Sequence, residues 1–534
     1  MLITLSAAAA AAASPGAAAA PPPGLSPYAS AVQQQAAMAA GAVTAEALVR
    51  ADIARIGALD HAGPRLNAVI ALNPHALADA RAADRERAAG HVRGPLHGVA
   101  ILLKDNIESD DGTATTAGSL ALKDNVTGRD APVVRRLTDA GAVILGKANL
   151  SEWANFRSTR AVGGWSAVGG LVRNPYALDR TACGSSAGSA VAVAAGYVAA
   201  ALGTETDGSI ICPAAASGVV GFKPTVGLVP RTFIVPISPE QDTAGPIART
   251  VADAAAVLTV IAGSDPADPS SAAADAHKID YVAALDRNAL KGARIGVLRG
   301  AVDRSPQTDA VFAQALAVLW SQGAELVDVR PPSDAQAAVL DAAETDAMRA
   351  EFKAAINAYL AAAAPAVRAR TLDDLIAFNA ATSAETALFG QEMFELSAKS
   401  PPLTDPDYRQ KRATADRLAG PEGLDRMMRE AGVEAIVAES GGPASVVDPV
   451  NGGLYLGSPT TLPAVAGYPH LTVPMGRVAG LPVGLSFIGP AWSDARILSL
   501  GYAFEQATLA RIDPQFPPSV NARADIAAAY DVKP

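Results

Sequence analysis

One lysine and two serines in this sequence could together carry out nucleophilic chemistry. Lys104 follows the apolar run Val99 to Leu103, whose length and composition predict a buried strand. Burial disfavours the ammonium form of lysine, so this amine could accept a proton near neutral pH. Ser185 lies in a Gly-rich turn that could aim its hydroxyl between Lys104 and Ser209, the candidate nucleophile. Taken alone, Lys104 could equally be an ordinary strand-end lysine paired with Asp105.

A second feature is the segment Thr206-Asp207-Gly208-Ser209. Its glycine and compact neighbours allow successive backbone N–H groups to point toward one spot. Such a nest can hold the oxyanion of a tetrahedral intermediate, and each donor is typically worth about 3 kcal/mol. The segment therefore predicts electrostatic stabilisation that needs no metal and no organic cofactor. For each serine taken alone, capping of a loop is the simpler interpretation.

A phosphate-binding loop is one alternative, because Gly141 to Lys147 (GAVILGK) has the spacing of a Walker A motif. Two features argue against it. The next residue is Ala148, which has no hydroxyl for Mg²⁺, and the four intervening residues are apolar and suit a strand. We therefore expect no nucleotide site here.

A nucleophile elbow is another alternative, because Gly184 to Gly188 matches G-x-S-x-G with Ser186 at its centre. The motif is short, and it requires an acid and then a histidine further along the chain. Only His277 and His470 are available, and His470 opens a strand-like segment where a packed or loop histidine is expected. The lysine hypothesis is favoured, and the elbow stays open beside it.

Composition excludes several functional classes. The 534 residues carry a formal net charge of −10, which would repel phosphate backbones and anionic membranes, so a nucleic-acid partner is not expected. Half of the residues are hydrophobic, enough for a large globular core. The six histidines show no paired spacing, so no metal site is expected. The two cysteines, Cys183 and Cys212, are predicted to be buried free thiols.

Two apolar stretches are relevant to the cellular location of the protein. Residues 1–27 form an Ala/Pro-rich leader with small residues at plausible cleavage positions but no basic start. We expect export, although a disordered leader and a cytoplasmic protein remain alternatives. The run Ala187 to Leu202 is too short for a bilayer span and predicts a buried helix.

Helix and strand patterns alternate along the rest of the chain. Arg135 to Ala140 predicts a helix, Ala142 to Leu145 predicts a strand, and residues 290–329 repeat the order strand, helix, strand. Residues 333–432 are predicted to be mostly helical. This alternation is typical of an α/β protein with a mainly parallel sheet. No internal repeat or long linker is visible, so residues 28–534 are interpreted as one domain.

Three segments together resemble the amidase signature family. They are GPLHGVAILLKDN (94–106), the Gly/Ser/Ala-rich stretch from Cys183 to Arg231, and QDTAGPIARTVADAA (241–255). The resemblance implies an α/β/α sandwich around a mixed, mainly parallel sheet, with no metal or cofactor. It also implies site residues, carried over position by position: Lys104 as the general base, Ser185 as the bridging serine on a cis peptide, Ser209 as the nucleophile, and Thr206, Asp207, Gly208 and Ser209 as the oxyanion hole.

Within that family the chain looks most like bacterial peptide amidases, which remove the C-terminal amide of peptides, over about residues 44–505. Members of the family more often have Gly at the position of Asp207 and Arg at the position of Ile211. The two differences argue against membership in the glutamine-dependent transamidosome branch. Residues 439–442 are a second departure from the commoner family sequence. This departure leaves the structure of the pocket wall and the identity of the substrate undecided. The expected activity is therefore amide hydrolysis through an acyl-enzyme. Aryl acylamides, esters and carbamates are alternative substrates, and a non-catalytic subunit of the same fold is an alternative function.

Overall fold

The computed structural model of the protein describes residues 25–302, 305–450, 454 and 456–530. The predicted leader, residues 1–27, lies outside the described residues except for its last three. Whether it is removed on export therefore stays a prediction.

Thirteen strands and seventeen α-helices are present in the described ranges. The strands are β1 Val69–Leu72, β2 Ala100–Lys104, β3 Val143–Ala148, β4 Trp165–Ser166, β5 Gly170–Leu171, β6 Ala200–Glu205, β7 Val220–Lys223, β8 Thr243–Ala248, β9 Arg294–Val297, β10 Glu325–Asp328, β11 Ala435–Glu439, β12 His470–Val478 and β13 Leu481–Ile488. The helices are α1 Ala31–Ala39, α2 Ala45–Leu59, α3 Ala76–Ala88, α4 Pro132–Asp139, α5 Ala187–Ala194, α6 Ile211–Ala216, α7 Val251–Ile261, α8 Ala274–His277, α9 Pro306–Ser321, α10 Asp334–Ala361, α11 Leu372–Ala381, α12 Glu392–Ala398, α13 Pro406–Ala419, α14 Asp425–Ala431, α15 Thr461–Val465, α16 Asp494–Thr508 and α17 Ala524–Tyr530.

Eleven of these strands form one sheet in the order β1-β3-β2-β6-β8-β7-β12-β13-β11-β9-β10. Pairing is parallel in β3-β2-β6 and in β11-β9-β10. Antiparallel pairing joins β1 to β3 and runs through the middle of the sheet from β6 to β11. The predicted α/β class and the mixed central sheet are confirmed.

Helices cover both faces of this sheet. In β12, the side chain of Leu471 contacts α16 at Gly501, whereas the neighbouring Thr472 faces β13 at Gly484, next to Ala215 of α6. Adjacent strand residues point to opposite faces, so α6 and α16 lie on opposite sides of the sheet. Strand β2 is buried along its whole length, as a central strand between two helical layers must be.

The small-residue run after Ser186 differs from its prediction. We expected one buried helix from Ala187 to Leu202, but α5 ends at Ala194 and the chain continues as β6. Gly196 has a φ of +76°, a left-handed conformation that ends the helix and that glycine adopts without a steric penalty. The turn returns the chain to the sheet beside β2, so the run supplies both a helix and a central strand.

Residues 333–432 are mainly helical, as predicted. The 28-residue helix α10 begins with a capping box in which Ser333 and Gln336 bond reciprocally to backbone N–H groups. Its C-terminal half packs with α11 and α12 in a second apolar cluster that also contains Trp153 and Phe156. This cluster joins the helical region to segments that connect strands of the sheet. No helix among the residues that the structure covers has the length and apolar character to cross a membrane.

Candidate active site

Lys104 is the last residue of β2 and is fully buried. Its Nζ lies 2.7 Å from Ser185 Oγ, 2.8 Å from Thr204 Oγ1 and 3.1 Å from the Thr204 carbonyl oxygen. The neighbouring Asp105 is bound elsewhere: its carboxylate accepts hydrogen bonds from the hydroxyl and N–H of Thr116. Lys104 is therefore surrounded by hydroxyl and carbonyl groups rather than paired with Asp105.

The environment of Lys104 favours the neutral amine. Burial lowers its pKa from the usual 10.5 to about 7, although the more distant carboxylates of Asp242 and Glu205 oppose that shift. A neutral amine has two N–H donors and one lone pair. If the donors are directed to the two Thr204 oxygens, the lone pair faces Ser185 Oγ and can accept its proton.

The two candidate serines lie on adjoining segments. The peptide bond between Gly184 and Ser185 is cis, as the resemblance implies. Ser186 N donates to the Ser209 carbonyl oxygen at 3.1 Å, which ties the segment carrying Ser185 to the segment carrying Ser209. Ser185 is fully buried, whereas Ser209 keeps 8% of its surface exposed.

The predicted oxyanion segment runs from the end of β6 to the start of α6. Gly208 has a φ of +76°, and a Cβ there would lie 3.1 Å from Thr460 Oγ1, so both conformation and space favour glycine. Asp207 Oδ2 accepts a hydrogen bond from Thr461 Oγ1 at 2.8 Å. Thr206 Oγ1 donates to Asp242 Oδ1 at 2.6 Å. These hydrogen bonds hold the side chains of Thr206 and Asp207 away from Ser209. The backbone of the turn, rather than these side chains, therefore lies beside Ser209.

A cavity of about 690 Å³ opens next to this segment. Its lining includes Thr206, Asp207, Gly208 and Ser209 on one side, and the residues from Ser440 to Asp448 on another. Met348 of the helical region also contributes. Three residues of the region 439–442, where the sequence departs from the family text, are thus part of the cavity wall: Ser440, Gly441 and Gly442.

The predicted site residues fall into two groups, one in the buried interior and one on the cavity wall. The structure places Lys104 against Ser185 and puts Ser209 on the cavity wall beside the Thr206-Gly208 turn. Such an arrangement could pass a proton from a serine at the cavity to a buried amine. The catalytic roles of these residues remain predictions.

Sequence reasoning missed two polar residues that organise the site. Thr204 supplies two of the three oxygens around the Lys104 amine. Asp242 accepts hydrogen bonds from Thr206 Oγ1 and from the N–H groups of Ile237 and Ser238. Both residues lie inside family-like text, in GTETDGS and QDTAGP, but their spacing along the chain does not reveal which groups they contact.

The geometry does not support the nucleophile elbow. Ser186 Oγ donates to the Thr204 carbonyl oxygen at 3.0 Å and accepts from Thr204 N, so it closes a turn. His470 Nε2 instead contacts Ser486 Oγ at 2.6 Å. Burial and the nearby Lys223 lower the His470 pKa to about 3. The His277 ring stacks on Trp492.

The Walker-like text also has a structural explanation. Its apolar residues form β3. Most of the Gly141–Lys147 segment is therefore part of the sheet and does not form a phosphate-binding loop. Lys147 Nζ donates to the Ile107 carbonyl oxygen and to Thr115 Oγ1, the latter at 2.9 Å. This lysine is buried and unavailable to a nucleotide.

The prediction of buried free thiols was wrong. Cys183 and Cys212 form a disulfide with a Cα–Cα distance of 5.9 Å, and both are only partly buried. The separation of 29 residues between them along the chain does not indicate pairing. The contact arises because β6 carries the chain back past the Ser185 turn. Both cysteines line the cavity.

A search of the described ranges for groups of three or more His, Cys, Asp or Glu side chains able to hold a metal ion finds none. The polar groups around Lys104 are instead hydroxyls, a carbonyl and an amide, with Asn106 Nδ2 donating to Thr204 Oγ1 at 2.9 Å. These donors and acceptors suit proton transfer between neutral groups.

A family model described as Amidase matches residues 47–498. A protein of Arabidopsis thaliana named as a probable amidase is 39% identical over 470 residues, covering 86% of each chain. A glutamyl-tRNA(Gln) amidotransferase subunit of Chloroflexus aurantiacus is 37% identical over 497 residues, covering 89% of this chain and 95% of that protein.

Among solved structures, the native peptide amidase from Stenotrophomonas maltophilia is 50% identical to this chain, with a TM-score of 0.87. The match covers 91% of this chain and 98% of that chain. It therefore extends over the sheet, the helical region and the cavity described above.

Proposed function

This chain belongs to the amidase signature family and is an amide-hydrolysing enzyme, and we propose that it removes ammonia from C-terminal peptide amides by way of an acyl-enzyme on Ser209. The observation that carries the proposal is the 2.7 Å contact between the buried Lys104 amine and Ser185 Oγ, next to a cavity that exposes Ser209. A hydroxyl in contact with a neutral amine can pass a proton to that amine and take it back.

In the proposed mechanism, Ser209 Oγ attacks the amide carbonyl carbon while its proton passes through Ser185 to Lys104. The carbonyl oxygen becomes an oxyanion, which the backbone N–H groups of the Thr206–Ser209 turn stabilise. The C–N bond then breaks, and the departing nitrogen takes the proton back through Ser185 to leave as ammonia. Water attacks the acyl-enzyme by the same relay, releasing the carboxylic acid and restoring Ser209.

The substrate class rests on the likeness to the Stenotrophomonas maltophilia peptide amidase and on the size of the cavity. About 690 Å³ is within the range of pockets that bind drug-sized molecules, and a short peptide amide fits that range. Exposed Val446 and Leu454 on the wall provide apolar contacts for side chains. Aryl acylamides, other amides, esters and carbamates remain alternatives for the same chemistry, because the 439–442 segment departs from the family text.

Two other functions are less well supported. A non-catalytic subunit would not need a buried amine aligned with a serine hydroxyl beside an open cavity. An amidotransferase subunit is suggested by the Chloroflexus aurantiacus relative, but Asp207 and Ile211 replace the Gly and Arg that are commoner in the family, and this departure argues against that branch.

The test is ammonia release from a C-terminal peptide amide and from free glutamine, measured beside amine release from an anilide and from an N-substituted carbamate. We expect the peptide amide to be hydrolysed fastest, and Ser209→Ala to reduce its turnover by at least about 10³-fold. Ser189→Ala is a matched control, since that hydroxyl donates to the Leu202 carbonyl oxygen away from the cavity. Added hydroxylamine should yield the peptide hydroxamate from the acyl-enzyme. Equal ammonia release by the wild type and Ser209→Ala would refute the mechanism.

Export of the mature enzyme is part of the proposal. The leader-like residues 1–27 suggest it, and the Cys183–Cys212 disulfide supports it because disulfides persist mainly in oxidising compartments. Fractionation of producing cells followed by N-terminal sequencing tests this. A protein that keeps residues 1–27 and stays in the cytoplasm would contradict it.

A further inference from the structure

The Cys183–Cys212 disulfide connects the two segments that carry the candidate serines. Cys183 precedes Ser185 by two residues, and Cys212 follows Ser209 by three residues at the start of α6. The backbone hydrogen bond from Ser186 N to the Ser209 carbonyl oxygen also joins these segments. The covalent link and this hydrogen bond therefore both join the two segments between which a proton would pass.

The backbone of Cys183 is in a conformation that needs support. Its φ is +57°, in the left-handed region that residues with a Cβ atom seldom adopt unless their surroundings hold them there. Cys183 N donates to Thr181 Oγ1 at 3.0 Å, and Thr181 N in turn donates to the Ser445 carbonyl oxygen. The disulfide adds a tie from the side chain to α6. Without it, Cys183 could move toward the right-handed region and carry Ser185 with it.

The disulfide is also accessible. Both cysteines are partly exposed and line the cavity of about 690 Å³ that contains Ser209. A small dithiol can therefore enter and attack one sulfur. The first thiolate forms a mixed disulfide and releases one cysteine as a thiolate. The second thiol of the reagent then closes its own ring and frees the other cysteine.

We propose that the Cys183–Cys212 disulfide is a positioning element that keeps Ser185 aligned with Ser209, so that the activity of the folded enzyme depends on the redox state of this pair. The inference rests on the proposed function, since it assumes that both serines take part in the reaction. The core is expected to stay folded after reduction, because the central sheet is held by strand pairing and by apolar clusters to which neither cysteine belongs.

The test compares oxidised wild-type protein with the same protein reduced by dithiothreitol, with both free thiols verified by alkylation and mass measurement. We expect kcat on a peptide amide to fall by about 10- to 100-fold, the scale of effect for misplacement of a reacting group. The KM should change by less than about threefold, because the remaining cavity wall is intact. Reoxidation should restore kcat. Complete reduction with unchanged kcat, or a loss of kcat that follows loss of the circular dichroism signal, would overturn the proposal.

A double variant, Cys183→Ser with Cys212→Ser, provides the matched control. It should show the kcat of the reduced wild type and should not respond to dithiothreitol. A double variant as active as the oxidised wild type would refute the positioning role.

A second measurement does not depend on the substrate. Phenylmethanesulfonyl fluoride modifies an activated serine, and we expect it to label Ser209 more slowly in the reduced protein. Equal labelling rates in the two redox states would contradict the inference. Hydrolysis of the peptide amide by the oxidised enzyme supports the proposed function, regardless of the effect of reduction on kcat. The proposed function and the positioning role of the disulfide can therefore be refuted independently.

Discussion

Lys104 and Lys147 are two buried lysines at the ends of neighbouring parallel strands, and their surroundings differ. The strands β2 and β3 pair so that Leu103 lies opposite Lys147 and Lys104 lies opposite Ala148. Burial lowers the pKa of both amines, to about 7 for Lys104. The Asp105 carboxylate is the main charge that opposes this shift at Lys147, and three further acids oppose it as well, whereas two acids oppose it at Lys104. Both amines make hydrogen bonds with hydroxyl and carbonyl oxygens, so the difference between them lies in the surrounding charges and in which hydroxyl each contacts.

The comparison separates a structural lysine from one suited to chemistry. A carboxylate next to a buried ammonium stabilises its charge, and removal of either partner leaves the other unpaired in the core. Hydroxyl and carbonyl oxygens next to a buried amine satisfy its hydrogen bonds in either protonation state, so the amine can gain and lose a proton within the fold. Identity, burial and the kinds of hydrogen-bonding atom are the same for the two residues; the surrounding carboxylates differ, and Lys104 rather than Lys147 contacts a candidate serine.

Lys104→Met should have the largest effect on activity. It replaces the amine with an apolar side chain of similar length, so the protein should fold, but no group remains to accept the proton from Ser185. We expect kcat/KM for a peptide amide to fall by at least about 10³-fold. Ammonia release and thermal unfolding measure the two properties. Retention of a tenth of the activity in the folded variant would exclude lysine as the base.

Lys147→Met should affect stability instead. Without the ammonium, the Ile107 carbonyl oxygen and the Thr115 hydroxyl lose a buried hydrogen-bond partner and Asp105 loses a nearby positive charge, so we expect a loss of about 2–3 kcal/mol in the free energy of unfolding. The kcat of the fraction that remains folded should stay close to that of the wild type. Denaturant unfolding beside Lys104→Met provides the comparison. If the two variants were equally stable and equally inactive, the distinction between the two lysines would be lost.

The pH dependence of the wild type should be the smallest of the three effects. The pKa of Lys104 is about 7, and only the neutral amine acts as a base, so kcat/KM should rise with pH through this value and level off above it. Between pH 8 and pH 6 we expect a fall of about tenfold. Lys147→Met should keep the same inflection. A profile that is flat from about pH 5 to about pH 9 would count against Lys104 as the base.

Local patterns were sufficient for much of the fold. The apolar run before Lys104 predicted β2, the helix and strand patterns of residues 290–329 matched α9 and its two flanking strands, and the helical region was placed correctly. These predictions succeed because the periodicity of side-chain burial is a property of neighbouring residues. The Ala187–Leu202 prediction was wrong because the composition of small residues does not distinguish a buried helix from a buried strand.

Such local patterns could not predict contacts between residues that are far apart in the chain. Thr204 and Lys104 are 100 residues apart, and their hydrogen bonds exist only because β2 and β6 are neighbours in the sheet. The Cys183–Cys212 pairing depends in the same way on the return of the chain through β6. Spacing along the chain identified the candidate serines but not the groups that surround them.

The amino-acid sequence alone therefore determined which residues could react and which segments form helices and strands, because both depend on residue type and local periodicity. The tertiary structure decided which buried lysine contacts a candidate serine, which serine faces the cavity and which cysteines are joined. These properties depend on the order of strands in the sheet, and that order is set by the packing of side chains from segments far apart in the chain.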